Sequence, residues 1–288
     1  MTPTTGDARA AGRAAVRAHD ENFPVAFLLA PADVRSDMGV VYAFCRTTDD
    51  LGDEGDGGPA ARLAALDAWE ADLRRAADGG EAPALPAAVA ELADRRGIPL
   101  DVFTRLVEAN RMDQRRSRWD THAELIDYCR HSATPVGEMV LGVLGYRDAW
   151  RTGLSDETCI GLQLVNFWQD VGRDLRDRDR VYLPREAMEA HGVTVDDLRL
   201  PAATPGVRAV IAEEVGRARA HLEAGAGLHR LVPRRVALDL RMFTAGGLAL
   251  CDAIADQGFD TLSRRPAPGR IGRARIAARA LRHAARGR

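Results

Sequence analysis

Lysine is absent from this chain of 288 residues: all 40 basic side chains are arginine. Without a lysine amine, Schiff-base catalysis and a Walker-type phosphate loop are excluded. Neither sign of charge dominates. The 42 acidic residues leave a net charge of -2, without the basic excess of a general nucleic-acid binder, so no nucleic-acid partner is expected. Cysteine is sparse. Cys45, Cys129, Cys159 and Cys251 form no CxxC pair, which argues against a zinc ribbon or a dithiol redox site. They read as reduced thiols of a cytosolic protein. No uncharged run approaches the roughly 18 residues of a membrane span. Arg9, Arg13 and Arg17 stand among alanines near the start, without the apolar core of a secretory signal. A cytoplasmic location is expected. No GxSxG occurs, and His19, His122 and His131 have no triad-like context.

Strand signals are also nearly missing. Ala, Leu, Arg and Glu dominate, and alternating β-branched runs do not occur. The pattern predicts an all-α protein with helices near 5–19, 32–53, 60–78, 84–96, 100–116, 121–145, 155–177, 206–230, 234–257 and 268–285. The stretch 178–205, with Pro184, Pro201 and Pro205, reads as a long connection with short helical pieces. No linker divides the composition, so residues 1–288 read as one all-α domain. From residue 263 to the end there are nine arginines and no acid. That tail reads as a solvated helix or as a basic surface for anionic lipid.

Two segments carry chemistry. The first ends Arg46-Thr47-Thr48-Asp49-Asp50-Leu51-Gly52-Asp53-Glu54. Asp49 and Asp53, four apart, fall on one helix face, and so do Asp50 and Glu54; such like-charged pairs repel. The residues before them, from Met38 to Cys45, are apolar almost all round, so the acidic cluster ends a buried helix. The second segment is Gln163-Leu164-Val165-Asn166-Phe167-Trp168-Gln169-Asp170-Val171-Gly172-Arg173-Asp174. Asn166, Asp170 and Asp174 recur every four residues as one polar stripe on an otherwise apolar helix. Burying such a stripe is expensive unless something pairs with it. Oxygen-only donors suit Mg²⁺, which takes one or two carboxylates together with phosphate oxygens and water. Arg173, Arg176, Arg178 and Arg180 follow as candidates for a diphosphate clamp.

These two segments, about 120 residues apart, resemble the two aspartate-rich motifs of the squalene/phytoene synthase family. The first match is residues 46–53 and the second residues 163–174. Arg180-Val181-Tyr182-Leu183-Pro184 follows the second motif as in that family, and residues 128–137 resemble its central tyrosine segment. His19 sits where the family often has a histidine. The similarity runs from about residue 12 to 268. It implies an isoprenoid-synthase helical bundle with a central active-site cavity. Within the family the chain is most similar to bacterial hydroxysqualene synthases, by Glu21-Asn22-Phe23-Pro24-Val25-Ala26 and by Asn166-Phe167-Trp168-Gln169-Asp170. Members that join two prenyl diphosphates commonly have Arg where Gln169 stands and often Lys near Glu21. Both differences remove positive charge, as suits a substrate with a single diphosphate.

The resemblance implies conversion of presqualene diphosphate and water to hydroxysqualene and diphosphate, in the route to squalene and hopanoids. It implies Mg²⁺ (with Mn²⁺ as a substitute) on Asp49, Asp53, Asn166, Asp170 and Asp174, and no use of NADPH. Asp49, Asp53, Asp170, Asp174 and Tyr128 are the implied catalytic residues. His19, Tyr42, Arg46, Gln163, Gln169, Arg173, Tyr182 and Arg265 are the implied substrate-binding residues. Phe23 and Phe44 are candidate rings for shielding a carbocation. A transient contact with a presqualene diphosphate synthase is implied, and so is a peripheral encounter with the inner membrane face through the Arg-rich tail. The runner-up is a head-to-head transferase making presqualene diphosphate, squalene or phytoene. The third reading is a non-catalytic assembly partner of the same fold.

Overall fold

The computed structural model describes residues 31–54 and 57–269. His19, Glu21, Phe23, the two terminal helices expected near 5–19 and 268–285, and most of the Arg-rich tail lie outside the described residues. Within them the all-α expectation holds: no strand occurs, and the only ladder is an isolated bridge between Arg118 and Val181. The helices are α1 (Ala32–Asp53), α2 (Gly58–Ala77), α3 (Ala84–Arg96), α4 (Leu100–Arg115), α5 (His122–Ser132), α6 (Thr134–Val143), α7 (Ala149–Arg178), α8 (Arg185–Ala190), α9 (Pro205–Gly225) and α10 (Arg234–Asp256).

Three expected boundaries move. The helix expected over 121–145 breaks at Ala133, because Pro135 has no N–H to donate and its ring displaces the carbonyl four residues back; it serves instead in the first turn of α6. The helix expected over 206–230 ends at Gly225 and continues as a 3₁₀ segment, Ala226–Leu231. α7 starts six residues earlier than the pattern suggested, because the Asp148 carboxylate caps it, accepting from the Arg151 N–H at 3.1 Å.

The chain forms two compact units. One comprises the described residues up to Arg115 together with His131–Thr152; the other comprises Arg116–Arg130 and the described residues from Gly153 onward. In the first, α1 packs on α2, α3, α4 and α6. Phe44 is fully buried, stacked on Trp69 at 6.0 Å and met edge-on by Phe103 at 5.2 Å. It is a core residue, not a ring available to a cation as the sequence suggested. Asp37, 3% exposed, is held by the Arg95 and Arg96 guanidiniums at 2.6–3.0 Å. The core of the second unit is built on α7, α9 and α10. Trp168, fully buried, donates its ring N–H to the Glu214 carbonyl at 3.1 Å.

Candidate functional site

The first acidic segment is the C-terminal end of α1. An apolar face of Val34, Val40, Val41 and Phe44 anchors the helix, and its last turn reaches toward solvent. Asp49 is exposed and Asp53 half-exposed. Four carboxylates within six residues repel one another, and polar side chains from α1 and α4 meet this helix end. Arg46 pairs with Asp50 at 2.8 Å and reaches Glu54 at 3.5 Å. Its guanidinium thus faces the second acidic pair, Asp50 and Glu54. From α4, buried Asn110 donates to Asp49 Oδ1 at 3.4 Å and to the Leu106 carbonyl at 3.2 Å. Gln114, one turn on, donates to the Gly52 carbonyl at 2.8 Å. The close approach requires Gly52, where a Cβ would collide with the Asn110 amide. Asn110 and Gln114 were missed in the sequence, yet a signal existed: two amides four apart on an amphipathic helix, the same spacing as Asp49 and Asp53. Tyr42 lies half-buried one turn before Arg46.

The second acidic segment occupies the last third of α7 and grades from solvent to core. Asn166 is exposed, Asp170 half-buried and Asp174 buried at 9%. Gln163 is half-buried one turn earlier. Burial, reinforced by the neighbouring Asp170 charge, pushes the Asp174 carboxyl up to about 7, against the pull of Arg178, Arg180 and Arg173. Its nearest cation among the described residues, Arg178, stands 3.9 Å away, and no described group donates a hydrogen bond to it. Asp170 is bound differently. Arg265, from the extended segment after α10, grips both carboxylate oxygens, at 2.6 and 2.8 Å. The same guanidinium donates to Gln169 Oε1 at 2.9 Å, while Gln169 Nε2 donates to the Pro266 carbonyl at 2.5 Å. Gln169 is therefore buried and used at both ends of its amide. Arg173 is exposed, 3.6 Å from Asp177.

Beneath this stripe lies an aromatic layer that gathers the other matched segments. Phe167 of α7 stacks on Tyr182 at 3.7 Å with ring planes 7° apart. Tyr182 stacks in turn on Trp119 at 4.6 Å, and Tyr128 of α5 closes the group at 5.1 Å from Trp119. The chain 181–186 is laid along 117–120 by three backbone bonds of 2.9–3.0 Å, from Val181 N–H to Ser117, Arg185 N–H to Trp119 and Glu186 N–H to Asp120. So Tyr128 and Tyr182, implied site residues far apart in sequence, meet Phe167 directly.

Each segment, taken by itself, offers oxygen donors only, Asp49 and Asp53 on α1 and Asn166, Asp170 and Asp174 on α7, the donor type that a hard divalent cation takes. Among the described residues, no three His, Cys, Asp or Glu side chains cluster closely enough to hold an ion alone.

Comparison with known proteins agrees on the family. Residues 16–272 match the model of the squalene/phytoene synthase family. A phytoene synthase of Thermus thermophilus is 37% identical over 253 residues, covering 87% of this chain and 84% of that one. A hydroxysqualene synthase of Rhodopseudomonas palustris is 40% identical over 194 residues, covering 65% of this chain and 63% of that one. Among solved structures, a squalene synthase from Alicyclobacillus acidocaldarius is 45% identical, with a TM-score of 0.82, covering 88% of this chain and 95% of that one.

Proposed function

The chain belongs to the squalene/phytoene synthase family, whose members act on prenyl diphosphates, and from that premise we propose that it converts presqualene diphosphate and water to hydroxysqualene and diphosphate. The observation that carries this reading is Gln169. It is neutral and buried, accepting from Arg265 and donating to the Pro266 carbonyl, so residue 169 adds no cation of its own for a second diphosphate, and Arg265 is the one guanidinium described beside it. The hydroxysqualene synthase relatives, 39% and 40% identical over parts of the chain, support it.

In this reading Asp49, Asp53, Asn166, Asp170 and Asp174 hold Mg²⁺. Bound there, the metal would offset the charge that grows on the departing diphosphate. The chain's own residues do the rest. Arg173 and Arg265 donate charge-assisted hydrogen bonds to diphosphate oxygens, and Arg46 keeps the end of α1 wound beside Asp49. The carbon–oxygen bond breaks with its electron pair leaving on diphosphate. The resulting carbocation takes up one water and releases one proton, and no reductant is consumed. The layer of Trp119, Tyr128, Phe167 and Tyr182 gives the second motif an apolar, electron-rich backing that keeps bulk water from the cation.

The phytoene synthase of Thermus thermophilus, which matches 87% of this chain, supports a second reading: head-to-head joining of two prenyl diphosphates. One experiment separates them. The purified chain and Mg²⁺ are incubated with presqualene diphosphate, or with farnesyl or geranylgeranyl diphosphate, with and without NADPH, and products are identified by mass. Hydroxysqualene from presqualene diphosphate alone is the expected result. A C30 or C40 product from the simple prenyl diphosphates, with presqualene diphosphate untouched, would establish the second reading.

A further inference from the structure

The turn between α6 and α7 carries a feature that neither motif explains. Trp150 is 69% exposed, whereas the other three tryptophans of the chain, Trp69, Trp119 and Trp168, are 9%, 1% and 0% exposed. An indole left in water forgoes a large apolar burial. The turn is firmly built. Gly145 takes φ +85°, a left-handed conformation suited to glycine. Asp148 caps α7 and holds Arg151 at 2.5 Å, and the Arg151 guanidinium lies 4.6 Å from the Tyr146 ring centroid. Arg147 lies against Gly97, where a Cβ would strike its guanidinium, and donates to the Arg96 carbonyl. No carboxylate pairs with Arg147 among the described residues. The one acid in the turn, Asp148, is spent on the helix end and on Arg151, so the turn presents an indole beside an uncompensated positive charge.

We infer that this turn is a lipid-docking element, which inserts Trp150 into the headgroup layer of an anionic bilayer with Arg147 on a lipid phosphate. A protein partner fits less well. A stable protein interface needs roughly 800 Å² from each side. Trp150 is the single large apolar side chain exposed in its unit among the described residues; Leu200 and Met242 belong to the other. A lone ring flanked by arginines is the composition of membrane-interface anchors. Docking would also place an enzyme of greasy prenyl chains at their solvent, a benefit that rests on the proposed function; the docking itself does not.

The test uses the full chain and no substrate, so its failure leaves the reaction untouched. Because Trp69, Trp119 and Trp168 are buried, Trp150 dominates any change in emission on insertion. With vesicles of phosphatidylglycerol and phosphatidylethanolamine, emission should shift to the blue, and lipids brominated on their acyl chains should quench it. Trp150→Ala should weaken vesicle binding about tenfold. Arg147→Gln should weaken it about fivefold, with the loss confined to anionic vesicles. Neither change touches the proposed catalytic machinery. Absence of quenching by brominated lipid, or unchanged binding by Trp150→Ala, overturns the inference. So does a dimer of the parent chain that Trp150→Ala dissolves, which would assign the ring to a second copy.

Discussion

The two acidic segments share a spacing and differ in how their charge is borne. At the end of α1 the carboxylates are exposed or half-exposed, Arg46 pairs with Asp50 and Glu54, and Asn110 and Gln114 bind Asp49 and the Gly52 carbonyl. On α7 the stripe descends into the core. Asp170 is neutralised by Arg265, and Asp174, deeper, is left with a raised pKa of about 7. One end lies near solvent; the other carries the electrostatic cost of a buried carboxyl. A pair of motifs that looks symmetric in sequence is therefore asymmetric in energy, and substitutions should separate them.

Activity is the coarsest probe and should show no asymmetry. Asp49→Asn and Asp174→Asn should each lower kcat at saturating Mg²⁺ by roughly 10³-fold or more, measured as product released from presqualene diphosphate. Full activity in either variant would remove that motif from the chemistry. Next in size is the support of the first motif. Asn110→Ala leaves Asp49 chemically intact but without the amide that binds it, and should weaken Mg²⁺ affinity about 10- to 100-fold; an affinity equal to the parent's would show that this amide does not matter to the metal. Arg265→Gln removes a charged donor from the second motif and should raise KM about tenfold with a smaller change in kcat.

The smallest effect distinguishes the motifs most sharply. In metal-free protein Asp174 keeps its proton up to pH about 7, whereas in the unfolded chain it ionises near 3.8. Between those values the folded state binds more protons than the unfolded one, so stability falls as pH rises through that window. Asp174→Asn abolishes the loss. At pH 8 it should stabilise the metal-free chain by about 1–3 kcal/mol, a few degrees in Tm, and by almost nothing at pH 4. Asp49→Asn, exposed, should stay within about 0.5 kcal/mol at both. A Tm for Asp174→Asn that tracks the parent's across pH would contradict the buried-charge difference.

Most of the helices were legible because apolar periodicity and Gly or Pro punctuation are local signals. α3 and α4 begin where the pattern says, and both aspartate motifs fall on helices. The break at Ala133 escaped because apolar periodicity continues from α5 into α6, although Thr134, Pro135 and Gly137 are all weak helix formers and the proline lacks a donor. The early start of α7 turned on one capping carboxylate, Asp148. In the site, residue types and spacing were readable, but partners were not. Nothing local indicates that Arg265, 95 residues after Asp170, would occupy its carboxylate. Nor does sequence show that Asn110 would reach the end of α1, or that Phe44 would be enclosed by Trp69 and Phe103. Those are consequences of tertiary packing, which joins segments with no sequence relation.

The most direct measurement is Mg²⁺ binding in the presence of inorganic diphosphate, by titration calorimetry on the parent chain and on two double variants, Asp49→Asn/Asp53→Asn and Asp170→Asn/Asp174→Asn. If both motifs serve one metal–diphosphate site, each double variant loses diphosphate-dependent Mg²⁺ binding, while both remain folded by circular dichroism. Parent-like binding by either one would contradict a shared site.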